Sequence, residues 1–395
     1  MKIILSIEVI LPPLAGIGRY AWELATRAPL HPDVESMRFM SDGRWTALPE
    51  MGQSASRSTQ INAASGPSFR TNLTSKLRQQ LGRIPLVSRL YGQLMPKLVA
   101  GQLDKVDDAI FHGPNYFVPK THLPTVLTIH DLSVYRFPQW HPSTRVERML
   151  TTIPESIQRA NLILTDSEAI RQELMQQFSL PAEKLKTVLL GVDPAYFPRT
   201  DQELLPVLNQ FGLRAKEYAL FVSTIEPRKN LTNLLAAYGA LPDHLRQHFP
   251  LVLVGGRGWQ SDAIHAEIER GVQQGWVKYL GYVEQHLLPY LYAGCRLFAY
   301  PSWYEGFGLP IVEAMASGVP VLTSNTSSMP EVAAGAALLV NPADVDQIKQ
   351  GLQRGLEDHE WRTQAITLGL QRAAQLSWDA CVQNTVAAYK TVSVR

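Results

Sequence analysis

Short apolar runs alternate with longer amphipathic segments along this chain, and the alternation occurs in two series. In the first series the runs typical of buried strands are Ile3–Val9, Ala109–His112, Thr125–Ile129, Leu162–Thr165 and Thr187–Leu190. Segments with helical spacing lie between them, including Ile17–Arg27, Val146–Arg159 and Glu168–Phe178. Such alternation predicts a parallel sheet that is covered by helices on both faces.

The second series begins after a Pro-rich and polar stretch, Asp193–Ala215. Its strand-like runs are Ala219–Val222, Leu251–Val254, Val277–Leu280, Leu297–Tyr300 and Val319–Leu322. The helical segments of this half are Leu231–Gly239, Ala263–Gln273, Gln285–Tyr292 and Pro310–Ser317. The sequence therefore predicts two doubly wound α/β domains, 1–195 and 196–376, and a C-terminal helix within 377–395 that packs back on the first domain. Ligands of such sheets bind outside the carboxyl ends of the strands.

Composition excludes several classes of protein. Of 395 residues, 45% are hydrophobic and 18% are charged, and 37 Lys+Arg nearly balance 35 Asp+Glu. The chain is too apolar for a disordered protein and too evenly charged for a dedicated nucleic-acid binder. The two cysteines, Cys295 and Cys381, have no metal-type or redox-type spacing, and no apolar run reaches about 18 residues. We therefore expect a cytoplasmic protein without a transmembrane helix.

The near-neutral charge hides one basic segment. Residues 51–100 contain seven Lys+Arg and no acidic residue, and leucines recur there at helical spacing. The Ser-rich stretch Met51–Asn72 predicts a long loop. The segment 70–105 could bind an anionic membrane at the inner face of the cytoplasmic membrane, or it could be a packed helix with a solvated basic face. The sequence favours neither interpretation.

The segment Tyr304–Ser317, YEGFGLPIVEAMAS, is the most informative motif. Glu305 and Glu313 are separated by seven residues, and Pro310 stands where a first helical residue is expected. This pattern indicates a glycine-rich turn that opens a helix. The free N–H groups and positive dipole end of that helix suit a diphosphate or a sugar oxygen. The alternative is a tight connection with two surface glutamates.

Two further motifs follow predicted strands. In FVSTIEPRKNL, Arg228 and Lys229 lie at the carboxyl edge of the sheet, where they could neutralise a diphosphate without a metal. Asn230 is expected to cap the next helix, and the alternative for this motif is an exposed basic turn. In TIHDL, His130 could position a sugar hydroxyl or shuttle a proton, or it could be merely structural.

The glycines of AGIGRYA, Gly16 and Gly18, match the start of a dinucleotide-binding motif, which keeps a nicotinamide-dependent oxidoreductase as an alternative. The fit is poor, because Pro12 and Pro13 separate these glycines from the strand. A loop that lets a substrate approach the backbone closely fits better.

Two other patterns resemble metal sites, but a simpler role is expected for each. Asp344-Val345-Asp346 has a D-x-D spacing, but Asp344 with Gln347 forms a capping box. The pair His244 and His248 has no evident third ligand, so a solvated helix face is expected. No metal site is predicted.

Taken in order, several motifs resemble those of the retaining glycosyltransferases of family 4, which have the two-domain GT-B fold. They are GIGRY, TIHDL, TDSEA, LLGVDPAYF, TIEPRKN, LGYV, PSWYEGFGLPIVEAMASGVPV and PEVAAGAALLVNP, and they cover nearly the whole chain. The resemblance implies metal-independent transfer from a nucleotide-sugar held mainly by the C-terminal domain.

The resemblance also implies roles for individual residues. Glu313 would bind the ribose, Arg228 and Lys229 the diphosphate, and His130 and Glu305 the donor sugar as the catalytic pair. The other implied donor-binding residues are Gly18, Thr224, Tyr282, Val283, Gly306, Phe307, Gly308 and Leu309. Many relatives have Gly-Arg where this chain has Ser223-Thr224, so the phosphate role of that arginine is assigned to Arg228.

The EPRKN and HDLS variants resemble bacterial mannosyl- and rhamnosyltransferases of surface polysaccharides such as the O-antigen of lipopolysaccharide. The expected donor is therefore a GDP-sugar, and the expected acceptor is a growing glycan that could be linked to lipid. A UDP-sugar donor remains an alternative. A second alternative is a non-catalytic subunit that only binds nucleotide-sugar or glycan. It is disfavoured because His130, Lys229, Glu305 and Glu313 are all present.

Overall fold

A computed structural model of the protein describes residues 1–11, 14, 16–49 and 98–392. The predicted loop Met51–Asn72 and the basic residues of the segment 51–97 lie outside the described residues. Within the described part, no helix is long and apolar enough to cross a membrane.

The first sheet contains seven described strands in the order β3-β2-β1-β4-β5-β6-β7. All neighbouring pairs are parallel except β2 and β3. The central strands are buried on both faces, as expected for a parallel sheet between helices. The strands are β1 Lys2–Ser6, β2 Ser36–Ser41, β3 Arg44–Thr46, β4 Ala109–Gly113, β5 Thr125–Ile129, β6 Leu162–Thr165 and β7 Leu185–Thr187.

The second sheet contains six described strands, all parallel, in the order β10-β9-β8-β11-β12-β13. This is the doubly wound order, in which the direction of winding reverses between β8 and β11. Loops that follow these two strands open a crevice at the carboxyl edge. The strands are β8 Ala219–Val222, β9 Leu251–Val254, β10 Val277–Gly281, β11 Leu297–Tyr300, β12 Val321–Ser324 and β13 Ala337–Val340.

Helices cover both sheets, because their apolar faces pack on the buried strands. Residues 98–103 are helical. The other described α-helices are Ile17–Arg27, Ser133–Arg136, Ser143–Arg159, Glu168–Phe178, Asp201–Leu208, Leu231–Gly239, Asp243–His248, Asp262–Gln273, Leu288–Gly294, Leu309–Ala316, Met329–Ala333, Val345–Glu357, His359–Ala374 and Trp378–Val392.

The last helix, Trp378–Val392, lies against the first sheet and the helix Ile17–Arg27. The Tyr389 hydroxyl is 2.7 Å from Nδ1 of His112, whose Nε2 is 2.8 Å from the Thr128 hydroxyl. Burial lowers the pKa of His112 to about 3, so this histidine is neutral. The polar contacts therefore join the end of the chain to its first half. The division of the chain at residues 195 and 376 stays a prediction.

Some predicted element boundaries are wrong. The strand predicted at Thr187–Leu190 is β7 at Leu185–Thr187, and the first strand ends at Ser6 rather than at Val9. Strands β2, β3 and β13 were not predicted. Asn230 is not a side-chain cap, because its amide donates to the carbonyl groups of Pro301 and Pro342 instead.

Candidate active site

The carboxyl edges of the two sheets face each other, and the motifs TIHDL, TDSEA and TIEPRKN meet the YEGFG loop between them. The Ser167 hydroxyl donates to the Gly306 carbonyl oxygen at 2.7 Å, and the Leu132 N–H donates to the Tyr304 hydroxyl at 2.9 Å. The loop after β11 thus contacts the loops after β5 and β6. This loop also lies at the point where the winding of the second sheet reverses, which is where ligands of doubly wound sheets bind.

A buried cluster of charges lies in this crevice. Lys229 Nζ donates to Glu305 Oε1 at 2.7 Å and to the Tyr300 hydroxyl at 2.8 Å. Arg228 donates to Glu305 Oε2 at 3.0 Å and to Glu226 Oε1 at 2.9 Å. Two adjacent residues after β8 therefore place two cations around one carboxylate from the loop after β11. Neither Glu305 nor Lys229 is exposed, so the alternatives of a surface glutamate and an exposed basic turn are wrong for them.

The cluster fixes the ionisation of its members. Burial alone would raise the pKa of Glu305, but attraction to Lys229 and Arg228 outweighs it and lowers this pKa to about 2. Burial lowers the pKa of Lys229, and the positive charge of Arg228 lowers it further, against the attraction of Glu305. The Arg228 Nε–H is buried and has no hydrogen-bond partner among the described residues. Guanidinium and ammonium groups are ordinary ligands of a diphosphate, but Glu226 and Glu305 balance the charges of Arg228 and Lys229 in this structure, so a diphosphate would have to compete with these carboxylates.

His130 is buried against this cluster from the first sheet. Its Nδ1 lies 2.7 Å from Asp166 Oδ2, and its Nε2 lies 2.8 Å from the carbonyl oxygen of Pro114. Because both partners are acceptors, both ring nitrogens carry hydrogens. Burial lowers the pKa of His130, but the Asp166 carboxylate more than compensates, so this pKa is raised. In this arrangement the ring is a cation with both nitrogens engaged in the protein. A proton-shuttle role would require one of these bonds to break.

The glycines of the loop after β11 allow a close approach between the two halves. A Cβ atom on Gly306 would lie 1.9 Å from the His130 carbonyl oxygen. Gly308 has φ +103° and precedes the helix Leu309–Ala316, so the loop ends in a backbone conformation that favours glycine. Phe307 is buried in the core. Ile311 N–H donates to the Gly308 carbonyl oxygen at 2.9 Å, and a role of the first N–H groups of this helix in donor binding stays a prediction.

Glu313 lies in that helix and is partly buried near the Tyr292 and Tyr196 hydroxyl groups. Burial raises the pKa of Glu313 to about 7. It is therefore not an ordinary surface glutamate. Its carboxylate could accept hydrogen bonds from paired hydroxyl groups such as those of a ribose.

The remaining predicted donor-binding residues are more scattered. Thr224 is exposed after β8, and Tyr282 is 61% exposed next to the buried Val283 after β10. Gly18 is inside the helix Ile17–Arg27, where a Cβ atom would lie 2.7 Å from the Val9 carbonyl oxygen. Internal packing therefore explains why a glycine is needed at position 18. Gly16 lies at the exposed N-terminus of the same helix, has φ +49°, and has no atom within 4 Å of an added Cβ.

Sequence reasoning did not identify several residues of the crevice. Asp166 orients His130, Tyr300 bridges Lys229 and Glu305, and Glu331 accepts hydrogen bonds from the Glu168 and Ala169 N–H groups at 2.9 and 3.1 Å. Asp166 belongs to the quoted TDSEA motif and directly follows a predicted strand. Glu331 could not be identified, because its partners come from the other half of the chain.

The D-x-D pattern at Asp344 belongs to a helix cap. The Asp344 carboxylate accepts from the Gln347 N–H at 3.0 Å and caps the helix Val345–Glu357, as predicted. The reciprocal half of the predicted capping box does not form, because the Gln347 side-chain oxygen accepts from the Asn341 N–H instead. The described residues contain no group of three or more His, Cys, Asp or Glu side chains that could hold a metal ion.

Comparison with known proteins places the chain in a family. Residues 15–196 match the family model described as Glycosyltransferase Family 4, and residues 209–371 match Glycosyl transferases group 1. The chain is 42% identical over 390 residues to O-antigen chain mannosyltransferase B of Escherichia coli, covering 99% of this chain and 100% of that protein. It is 29% identical to MMP alpha-(1->4)-mannosyltransferase of Mycolicibacterium hassiacum, covering 75% of this chain and 72% of that protein.

Solved structures agree on the fold. Anabaena HepE in complex with UDP-glucose has a TM-score of 0.70 at 19% identity and covers 99% of both chains. WaaG, a glycosyltransferase involved in lipopolysaccharide biosynthesis, has a TM-score of 0.65 at 14% identity and covers 98% of this chain and 99% of that chain. Together with two parallel sheets that face each other, these matches show that the chain belongs to the family 4 glycosyltransferases and is an enzyme with the GT-B fold.

Proposed function

We propose that this enzyme transfers mannose, with retention of anomeric configuration, from GDP-mannose to a growing surface-polysaccharide glycan. The buried cluster of Arg228, Lys229 and Glu305 at the winding reversal is the observation that supports a sugar-diphosphate donor most strongly. The mannose part of the proposal is supported by the names of the relatives, several of which are mannosyltransferases.

The proposed donor site is built from both sides of the winding reversal. Arg228 and Lys229 would compensate the charge that develops on the leaving diphosphate, together with the N–H groups that begin the helix Leu309–Ala316. Glu313 would hold the ribose. Tyr282 and Val283 would contact the base, and Thr224 and Gly18 would lie near the phosphates.

The proposed reaction breaks the bond between the anomeric carbon and a diphosphate oxygen and forms a bond from that carbon to an acceptor hydroxyl oxygen. The acceptor attacks the face from which the diphosphate leaves, and its proton passes to the departing phosphate. Glu305 is ionised and paired with two cations, so its role here is to position Arg228 and Lys229 around the donor. Cationic His130 would donate a hydrogen bond to the donor sugar only if it exchanges one of its present partners.

A donor screen tests the nucleotide. A ligand that binds only the folded protein raises its apparent stability, so GDP-, UDP- and dTDP-sugars can be compared by thermal shift. We expect GDP-mannose to stabilise the protein most. Stabilisation by UDP-sugars alone would overturn the GDP assignment and favour the alternative donor.

Two variants test the site itself. Lys229→Ala and Glu313→Ala should abolish transfer while the circular-dichroism spectrum stays unchanged. The matched controls are Lys120→Ala and Glu155→Ala, which remove exposed charges away from the crevice and should keep the wild-type rate. A wild-type protein that binds the donor without any transfer would instead support the non-catalytic binding subunit.

Metal independence and membrane contact complete the proposal. Transfer should persist in EDTA, because the two cations supply the charge that a metal would otherwise provide. The sequence leaves two interpretations of the segment 70–105 equally open, and of these we propose attachment to anionic membranes as the one to test. Binding to vesicles should then increase with their content of anionic lipid, and binding that ignores this content would contradict the idea.

A further inference from the structure

A second cavity lies beside the charged cluster, at the boundary between the two halves of the chain. Its volume is about 310 Å³, at the lower end of the range for small-ligand pockets. Trp140 comes from the first half, and Trp303, Asn233 and Gln260 come from the second. Thr232 and Gln260 are exposed at its mouth, so the cavity is open to solvent.

The aromatic part of this cavity is held in place by its neighbours. Trp140 stacks on Phe137 with ring centroids 4.4 Å apart, and its carbonyl oxygen accepts a hydrogen bond from the Trp259 indole. Trp303 approaches Trp140 with ring centroids 6.2 Å apart, and the backbone N–H of Trp303 donates to the Arg228 carbonyl oxygen at 3.0 Å. Two indole rings from opposite sides of the cleft therefore meet at the cavity, and the ring of Trp140 is held by its stacking on Phe137.

The chemistry of the lining points to an uncharged, hydroxyl-rich ligand. Every described residue that lines the cavity is uncharged, and the polar ones carry amide or hydroxyl groups: Asn230, Asn233, Thr232 and Gln260. A diphosphate or a carboxylate would have no cation to pair with among these lining residues. A sugar ring has an apolar C–H face that packs on an indole, and it has hydroxyl groups that form hydrogen bonds. The amide nitrogens of Asn230 and Asn233 already donate to the Pro301 and Pro342 carbonyl groups, so the sugar hydroxyl groups would bond to Thr232 and Gln260.

The cavity also has a defined relation to the charged cluster. The turn Pro227–Asn230 forms a shared wall, because Pro227 and Asn230 line the cavity whereas Arg228 and Lys229 turn to Glu305. The cavity is flanked by the helices that follow β8 and β9, at Thr232 and Ile264. Glu313, the proposed ribose ligand, lies on the helix that follows β11. In the proposed arrangement, the donor nucleotide and this cavity would therefore occupy different parts of the crevice.

We infer that the cavity lined by Trp140 and Trp303 is a subsite for a sugar unit of the acceptor glycan, one or more sugar units away from the hydroxyl group that is glycosylated. This inference rests on the proposed glycosyl transfer to a glycan. The subsite lets the enzyme hold a longer acceptor more tightly than a short one, while donor binding is unaffected.

The test compares Trp140→Ala with a matched control, Trp361→Ala. Trp361 is half-buried in the helix His359–Ala374 and does not line the cavity. The kinetic constants of the full chain are measured with a fixed nucleotide-sugar and α-linked mannose oligosaccharides of two, four and six units. Because loss of a central interface tryptophan commonly costs more than a factor of five in affinity, we expect the acceptor KM to rise about tenfold for the longer oligosaccharides. The donor KM and the acceptor KM of the shortest oligosaccharide should not change.

A second variant fills the cavity without removing a contact of the fold. Thr232→Arg replaces an exposed side chain at the mouth and should give the same length-dependent rise in acceptor KM. The inference is overturned if both variants keep the wild-type acceptor KM at every length, or if KM rises equally for all lengths and for the donor. The second pattern would mean that Trp140 only stabilises the contact between the two halves.

A separate measurement distinguishes failure of the proposed glycosyl transfer from failure of the glycan subsite. If the wild-type protein transfers no sugar from any nucleotide-sugar, glycosyl transfer fails and binding is measured directly, from the quenching of tryptophan fluorescence by mannohexaose. Quenching that Thr232→Arg removes and Trp361→Ala keeps would then support the glycan subsite. Quenching that is absent, or equal in all variants, would overturn it.

Discussion

Replacing Glu305 by glutamine tests the charged cluster most sharply. The substitution keeps the size of the side chain and a hydrogen-bond acceptor for Tyr300, but it removes the negative charge between Lys229 and Arg228. The pKa of Glu305 falls from an ordinary value of 4.5 to about 2 in the folded protein. At about 1.4 kcal/mol for each pKa unit, its ionised form contributes about 3 kcal/mol to folding.

Glu305→Gln should therefore lower the free energy of unfolding by about 3 to 5 kcal/mol, because two buried cations are left without their shared partner. Urea unfolding at pH 7 measures it. A lowered pKa stabilises the folded state above the ordinary pKa, and this stabilisation is lost as the pH falls through 4.5 towards 2. The difference in the free energy of unfolding between wild type and Glu305→Gln should therefore decrease as the pH falls from 4.5 towards 2.

The matched control is Glu155→Gln, which removes an exposed carboxylate that pairs with Arg159 at 2.7 Å. An exposed pair of this kind contributes at most about 1 kcal/mol. Glu305→Gln should also abolish transfer, because Lys229 and Arg228 lose the carboxylate that positions them around the donor. A loss of stability no larger than that of the control, or one that is independent of pH, would refute the proposed coupling of the three charges.

Three further outcomes follow from the geometry. Because the pKa of Glu313 is about 7, its ionised fraction rises about tenfold between pH 6 and pH 8, and the donor KM should fall by a similar factor. Glu313→Gln should have a higher donor KM that does not change with pH. Gly306→Ala places a Cβ atom 1.9 Å from the His130 carbonyl oxygen, so it should displace the loop and lower kcat about a hundredfold. The control Gly101→Ala has no atom within 4 Å of the added Cβ and should match the wild-type kcat. Glu331→Gln removes the carboxylate that accepts from two N–H groups of the helix Glu168–Phe178 and should lower the free energy of unfolding by about 1 kcal/mol in urea unfolding.

The alternation of strands and helices was predictable because parallel strands buried on both faces are apolar along their whole length. The runs at Thr125–Ile129 and Leu162–Thr165 became β5 and β6 with unchanged bounds, and the helix Ile17–Arg27 also matches. Edge strands are harder to predict. In β2, SMRFMS, only Met40 is buried, so the apolar signal of the central strands is missing.

Only part of the candidate site could be predicted from the sequence. The position of Arg228, Lys229 and Glu305 after β8 and β11 follows from the rule that ligands bind at the carboxyl edge. Their mutual pairing does not, because it depends on side-chain directions between residues 76 positions apart. The side chain of Asn230 likewise binds two carbonyl groups that are distant in sequence, so a local capping rule misassigned it.

The transfer reaction itself tests the central claim most directly. Purified full-length chain is mixed with GDP-mannose and an α-linked mannose oligosaccharide, and the product is followed by proton NMR at the anomeric positions. We expect one new mannosyl unit with the α configuration of the donor, release of GDP, and no product from Lys229→Ala. A product with inverted configuration, or no transfer from GDP-, UDP- or dTDP-sugars, would contradict the proposed reaction.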